Sequence, residues 1–194
     1  MALVSTLKTD NKPDNHSPFF VATDETTGGF VMCKRPDRVQ ALVDSVAPGK
    51  QVHFVSDGEW SMHDIVIALL KKFRPAELFI STYAIRDFPI KQLILAQERG
   101  EVSGINLVID SRAQIRSPEG YNLARMNVNR IAQIAIHAKV TVIKSPIGCV
   151  SISSSQNWTQ NPKIEAGVIT CSEEVAAFHI AWINKILADA QIFE

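Results

Sequence analysis

From Pro36 onward the chain repeats one unit: a short apolar run of strand length, a polar break, then a stretch with apolar residues every three or four positions. Val39, Leu42, Val43 and Val46 have helical spacing, which stops at Pro48-Gly49. Gln51 to Ser56 reads as a strand. Ser61 can cap a helix running to about Phe73, with Asp64 three residues on as a variant capping box. Leu78 to Tyr83 is the next strand, Pro89 suits the first turn of a helix ending near Gly100, and Ile105 to Asp110 is a third strand. Residues 119–135 are again helical in period, through Leu123, Met126, Ile131 and Ile134. Such alternation calls for an α/β fold with a largely parallel sheet flanked by helices on both faces.

After Lys139 the texture changes. Lys139 to Lys144 and Gly148 to Ser153 are two β runs joined by Ser145-Pro146-Ile147, a hairpin signal that makes the sheet mixed. Ala166 to Thr170 is a further strand, and Glu173 to Ala190 a closing helix with acidic residues in its first turn. Residues 1–34 have loop composition (TDNKPDNHSP, DETTGG) and are expected to be a flexible arm or an edge element, with a short strand at Phe19 to Ala22. The expected folded domain is therefore 35–194.

The stretch from His137 to Glu165 carries the chemistry. His137 and Lys139 lie two apart at the start of a β run, so an imidazole and an ammonium face the same way. Ser155 and Asn157 share the same spacing after the hairpin, and Glu165 opens the next strand. A neutral imidazole can attack phosphorus, and an imidazolium can protonate a leaving oxygen. Lys and Asn supply donors where charge builds on phosphoryl oxygens, and a carboxylate can fix a histidine tautomer. Ser155 and Asn157 taken alone would be ordinary turn residues, and Lys139 taken alone a solvated edge lysine.

Taken together, His137-Ala-Lys139, Ser155-Gln-Asn157-Trp-Thr and Glu165 resemble the motif of the phospholipase D superfamily: His-x-Lys, four residues, Asp, then Gly-Ser-x-Asn. Gly58-Glu59-Trp60-Ser61, the strand Leu78 to Tyr83 and the closing helix with Trp182 extend the likeness over roughly residues 50–190. Lys144 stands where the family has Asp, and Ser154 where it has Gly. Family members with two motifs fold as pseudo-symmetric halves. This chain has one motif, since His16, His53, His63 and His179 lack a Lys two residues on. The resemblance therefore implies a homodimer whose two sites face each other across a two-fold axis. One His137 would become a phosphohistidine while its mate acts as general acid and then activates water, with neither metal nor cofactor required. Two facing imidazoles would titrate as a coupled pair.

Charge refines the expected substrate. Lys+Arg and Asp+Glu are 20 each, which argues against a general polyanion binder but not against a local patch. Between residues 111 and 144, Arg112, Arg116, Arg125, Arg130, Lys139 and Lys144 face only Glu119, the pattern of a basic rim for a nucleic-acid backbone. Ser111 to Gly120 is a candidate loop over the site. Trp60 and Trp158 read as packing residues. The expected function is a metal-independent phosphodiesterase, acting on DNA or RNA rather than on lipid. The alternative is a catalytically inactive nucleic-acid-binding or assembly module, which Lys144 favours. No apolar run approaches the roughly 20 residues of a membrane helix. Cys33, Cys149 and Cys171 are odd in number and scattered, as suits reduced thiols in a cytoplasmic protein.

Overall fold

In the computed structural model the described residues are 19–24, 27–32, 37–56, 58–160 and 162–191. Cys33 and most of the expected N-terminal arm lie outside them. The arm's described parts, β1 (Phe19–Asp24) and β2 (Thr27–Met32), form an antiparallel hairpin at one edge of the sheet. Then follow α1 (Asp37–Asp44), β3 (Gln51–Val55), α2 (Met62–Phe73), β4 (Ala76–Thr82), α3 (Asp87–Glu98) and β5 (Val102–Asp110). The rest of the chain forms α4 (Ala113–Arg116), α5 (Pro118–Asn127), β6 (Arg130–Ile134), β7 (Val140–Ser145), β8 (Gly148–Ser154), β9 (Ala166–Thr170) and α6 (Glu173–Gln191).

The nine strands make one sheet in the order β2-β1-β3-β9-β8-β7-β4-β5-β6. It is mixed and carries helices on both faces, as expected. The balance of pairings differs from the expectation: only β4-β5 and β5-β6 are parallel, and every other described neighbour pair is antiparallel. The reason is topological. Helices α3 and α4-α5 cross over between β4, β5 and β6, whereas the β7-β8 hairpin and the return of β9 reverse direction at each step. Central strands β4, β5 and β7 are buried nearly throughout, hence their continuous apolar runs. Strand β3 alternates, with Val52 and Phe54 buried and Gln51 and His53 exposed.

Two cores result. One face packs Leu42, Val43, Ile65, Leu69, Ile90 and Leu93 of α1 to α3 against Leu78, Ile80, Ile105 and Leu107. The other packs Ala176, Ile183 and Leu187 of α6 against Phe79, Val108, Val142 and Cys149. Helix α2 starts where the sequence places it: the Ser61 N–H donates to Asp64 Oδ2 at 2.8 Å, satisfying one otherwise orphaned donor.

The segment 119–135 is not one helix. Helix α5 ends at Asn127, and Asn129 pairs its backbone N–H (2.9 Å) and side-chain Oδ1 (2.8 Å) with Ile105 of β5. That starts β6, whose residues 130–134 extend the parallel part of the sheet. Ile131 and Ile134 continue a helical spacing by coincidence, while Met126, counted as apolar-facing, is 83% exposed. Ser111 to Gly120 is likewise not an open loop, since it carries α4 and the start of α5.

Candidate active site

The carboxyl ends of β3, β4, β5, β6 and β8 and the amino ends of β7 and β9 lie on one edge of the sheet, as their directions and registers require. In open α/β sheets this is where ligands bind. His137 and Lys139 fall just before β7, in the segment leading into it rather than in the strand itself. Three neighbours pin that segment. The Ser81 hydroxyl donates to the Ala138 carbonyl (2.9 Å), the Ile136 N–H donates to Asp110 (3.3 Å), and the Ser154 N–H donates to the Lys139 carbonyl (3.2 Å). His137 is exposed and Lys139 half-buried. The Lys139 ammonium donates to the His137 carbonyl at 2.7 Å and lies 3.3 Å from its Nδ1. Partial burial pulls the Lys139 ammonium below the usual lysine range, and the Glu165 carboxylate opposes this.

Ser155, Asn157 and Glu165 join from the adjacent strands. The Ser155 N–H donates to the Ala166 carbonyl at 2.9 Å, and the Ser155 hydroxyl donates to Glu165. Glu165 is fixed at its backbone by Ser56, whose N–H donates to the Glu165 carbonyl (2.8 Å) and whose hydroxyl accepts the Glu165 N–H (3.2 Å). Gly58 makes this approach possible: its φ is 76°, and a Cβ there would sit 2.2 Å from the Pro162 carbonyl oxygen.

Asn157 is held by its oxygen. Oδ1 accepts the Ala84 N–H (3.1 Å) and the Thr82 hydroxyl (3.4 Å). Neither hydrogen of its amide nitrogen meets an acceptor among the described residues, so this donor pair is available to a ligand. Trp158 anchors the segment: it is 1% exposed, its indole N–H donates to Thr141 Oγ1 (3.2 Å), and its backbone pairs with Ala84 and Arg86. Ser61, Gln156, Asn157, Thr159 and Glu165 line a small depression here.

Two residues at this edge escape motif reading. Tyr83, immediately after β4, stacks its ring 4.8 Å from that of His137. Asp110, the last residue of β5, is buried and takes Arg112 Nε at 2.8 Å; the guanidinium holds its carboxyl below the usual carboxylate range. The signal for both was present, since each is a polar residue ending an apolar strand whose carboxyl end faces the site.

The expected basic rim divides. Arg112 and Arg116 flank Tyr83, with guanidinium carbons 5.2 and 4.7 Å from its ring centre. The others are not brought to the site. Arg125 lines a separate cavity between α5, β6 and α6. Arg130 opens β6 at the opposite end of the sheet and donates to Asn184 (2.8 Å). Lys144 is exposed and paired in register with Glu77 and Cys149, near the far end of β7. Four residue steps from Val140 put it about 13 Å along the strand from the site end. Its charge therefore lies away from the cluster of His137, Lys139, Ser155, Asn157 and Glu165.

No family model matches this chain, and neither does any curated protein sequence. Solved structures do. One is described as a phospholipase D family member, Nuc from Salmonella typhimurium, at 17% identity and TM-score 0.48, covering 63% of this chain and 86% of that one. Polyphosphate kinase from Porphyromonas gingivalis matches at 16% identity and TM-score 0.54, over 80% of this chain and 28% of that one. The chain shares its fold with the matched stretch of that kinase. In this sheet the His-x-Lys segment, the Ser-x-Asn segment and Glu165 flank the ends of three adjacent strands, β7, β8 and β9, at one edge. No helix among the described residues is long and apolar enough to cross a membrane.

Proposed function

We propose that this chain is a metal-independent phosphodiesterase, acting as a nuclease, whose active centre forms between two copies. The observation that carries the proposal is the convergence of His137, Lys139, Ser155, Asn157 and Glu165 at one sheet edge, with the Asn157 amide donors open. In this scheme Nε2 of one His137 attacks phosphorus. The partner's His137, as imidazolium, gives its proton to the departing alkoxide oxygen, leaving a phosphohistidine. Now neutral, the partner's His137 takes a proton from water as that water's oxygen displaces the first imidazole from phosphorus. Lys139 and the Asn157 amide stabilise the phosphoryl oxygens as negative charge grows on them. Ser155 holds Glu165, and Tyr83 supports the exposed imidazole by ring contact. The position of Lys144, toward the far end of β7 from these groups, supports the enzyme over an inactive binding module.

The test is hydrolysis of bis-(p-nitrophenyl) phosphate in excess EDTA, for wild type beside His137→Ala. The proposal expects p-nitrophenol release that is lost in the variant. No release above background in the wild type, together with salt-sensitive DNA binding that survives His137→Ala, would establish the binding module instead.

A further inference from the structure

Tyr83 gathers an unusual set of charges. Around its ring centre lie Arg116 at 4.7 Å, Arg112 at 5.2 Å and Lys139 at 5.5 Å. His137 packs against the same ring at 4.8 Å. These cations are not equivalent. Arg112 is neutralised by buried Asp110, which accepts from its Nε and Nη2. Lys139 belongs to the phosphate site itself. Arg116 has the Tyr83 hydroxyl as its polar partner and no ion pair among the described residues. It lies at the end of α4, anchored by the Arg116 N–H donating to the Arg112 carbonyl (3.0 Å) and the Ser117 N–H to the Ala113 carbonyl (2.9 Å). A guanidinium fixed by a phenol, on a short rigid turn, keeps most of its planar donor fork free for an oxyanion.

We propose that Arg116, positioned by Tyr83, binds the phosphate next to the scissile one, so that the substrate is a nucleic-acid strand recognised through two successive phosphates. His137 and Arg116 each lie within 5 Å of the centre of the same ring, close enough together for two successive phosphates of one strand to meet both. Because cations and an imidazole surround Tyr83, its ring is not a platform for a base. Recognition here is of backbone charge and is independent of base sequence. A lone phosphodiester, such as a lipid headgroup, offers nothing to this arginine. The proposal takes the place of the first phosphate from the phosphodiesterase reading. It is therefore tested by binding rather than turnover, which keeps the failure of one separate from failure of the other.

The experiment compares the affinity of the intact protein for thymidine 5′-monophosphate and thymidine 3′,5′-bisphosphate by calorimetry, at two salt concentrations. Wild type, Arg116→Ala, Tyr83→Phe and Arg125→Ala are run together. The wild type is expected to prefer the bisphosphate by about tenfold or more, the effect of one charge-assisted contact, with a preference that shrinks in high salt. Arg116→Ala should bring this bisphosphate-to-monophosphate ratio close to one, Tyr83→Phe should lower it partway, and Arg125→Ala should leave it where it was. Equal ratios in wild type and Arg116→Ala would overturn the proposal. So would an equal loss in Arg125→Ala, which would reduce the effect to overall charge. Tripolyphosphate displacing the bisphosphate more tightly than the bisphosphate itself binds would overturn the assignment to a nucleic-acid strand.

Discussion

The proposed function gives Asn157 two jobs on opposite ends of one amide, and two substitutions separate them. Its Oδ1 accepts the Ala84 N–H and the Thr82 hydroxyl; its nitrogen donors face the site. Asn157→Ala removes both functions. The Thr82 hydroxyl keeps the Ala84 carbonyl as acceptor at 2.9 Å, so the main loss is the Ala84 N–H. Leaving that donor unpaired in a half-buried segment costs about 1–2 kcal/mol. For a chain of this size each kcal/mol lowers Tm by roughly 2–4 °C. Asn157→Asp retains an acceptor for Ala84 and Thr82, so its Tm should stay within about 2 °C of wild type. It loses the donors and sets a carboxylate against the phosphate. Loss of one transition-state donor typically costs about 3–4 kcal/mol, so kcat should fall by at least roughly 100-fold in both variants. Thermal denaturation and oligonucleotide hydrolysis, measured on both variants, give the two readouts. Wild-type turnover in Asn157→Asp would refute the donor role, and an Asn157→Asp variant as unstable as Asn157→Ala would refute the acceptor role.

Other outcomes follow from the same geometry. Gly167→Ala would place a Cβ 2.5 Å from Ser154 Cβ and 2.6 Å from Phe54 Cζ, so urea denaturation should show a loss of about 1–3 kcal/mol; an unchanged midpoint would mean that β8 and β9 are not packed this closely. Burial lowers the pKa of His63, against an opposing pull from Asp64, and also that of His179, both from an ordinary value of 6.5. Below 6.5 the unfolded chain therefore binds more protons than the folded one, and stability is lost as pH falls from 6.5 toward the lowered values. The urea midpoint should be lower at about pH 5.5 than at about pH 7.5, with the difference reduced in a His63→Gln/His179→Gln double variant; equal midpoints in the parent would contradict it. Lys144→Asp, which installs the family's carboxylate, should change turnover by less than roughly threefold, because a screened surface charge at that remove acts weakly. A rise of tenfold or more would show that Lys144 does disable the site.

Much of this arrangement was legible in the sequence because local and global signals agree. The capped helix after Ser61, the β7-β8 hairpin and the buried runs of β4 and β5 each announce themselves by period, turn chemistry or continuous apolarity. The segment 119–135 failed for the opposite reason. Its apolar spacing fits a helix throughout, and only the pairing of Asn129 with Ile105, 24 residues away in sequence, converts its end to an edge strand. Strand direction was also beyond local reading, since antiparallel pairing of β7 with β4 is decided by the route of the chain. At the site, His137, Lys139, Ser155 and Asn157 were readable as spaced pairs. Tyr83 and Asp110 were legible only as polar residues closing apolar strands, because their roles come from neighbours that only the sheet brings close. Charge count alone could not sort Arg112 and Arg116 from Arg125, Arg130 and Lys144; that division depends on which end of each strand a residue occupies.

The claim that two chains build one centre is tested most directly by subunit mixing. Wild type and His137→Ala are combined at varying ratios, allowed to exchange, and assayed on an oligonucleotide, whose alkoxide leaving group needs a proton. A mixed dimer retains one imidazole and so lacks either the nucleophile or the acid. Activity should therefore fall as the square of the wild-type fraction. A linear fall, in proportion to the wild-type chains present, would mean that each copy works alone and would contradict the shared centre.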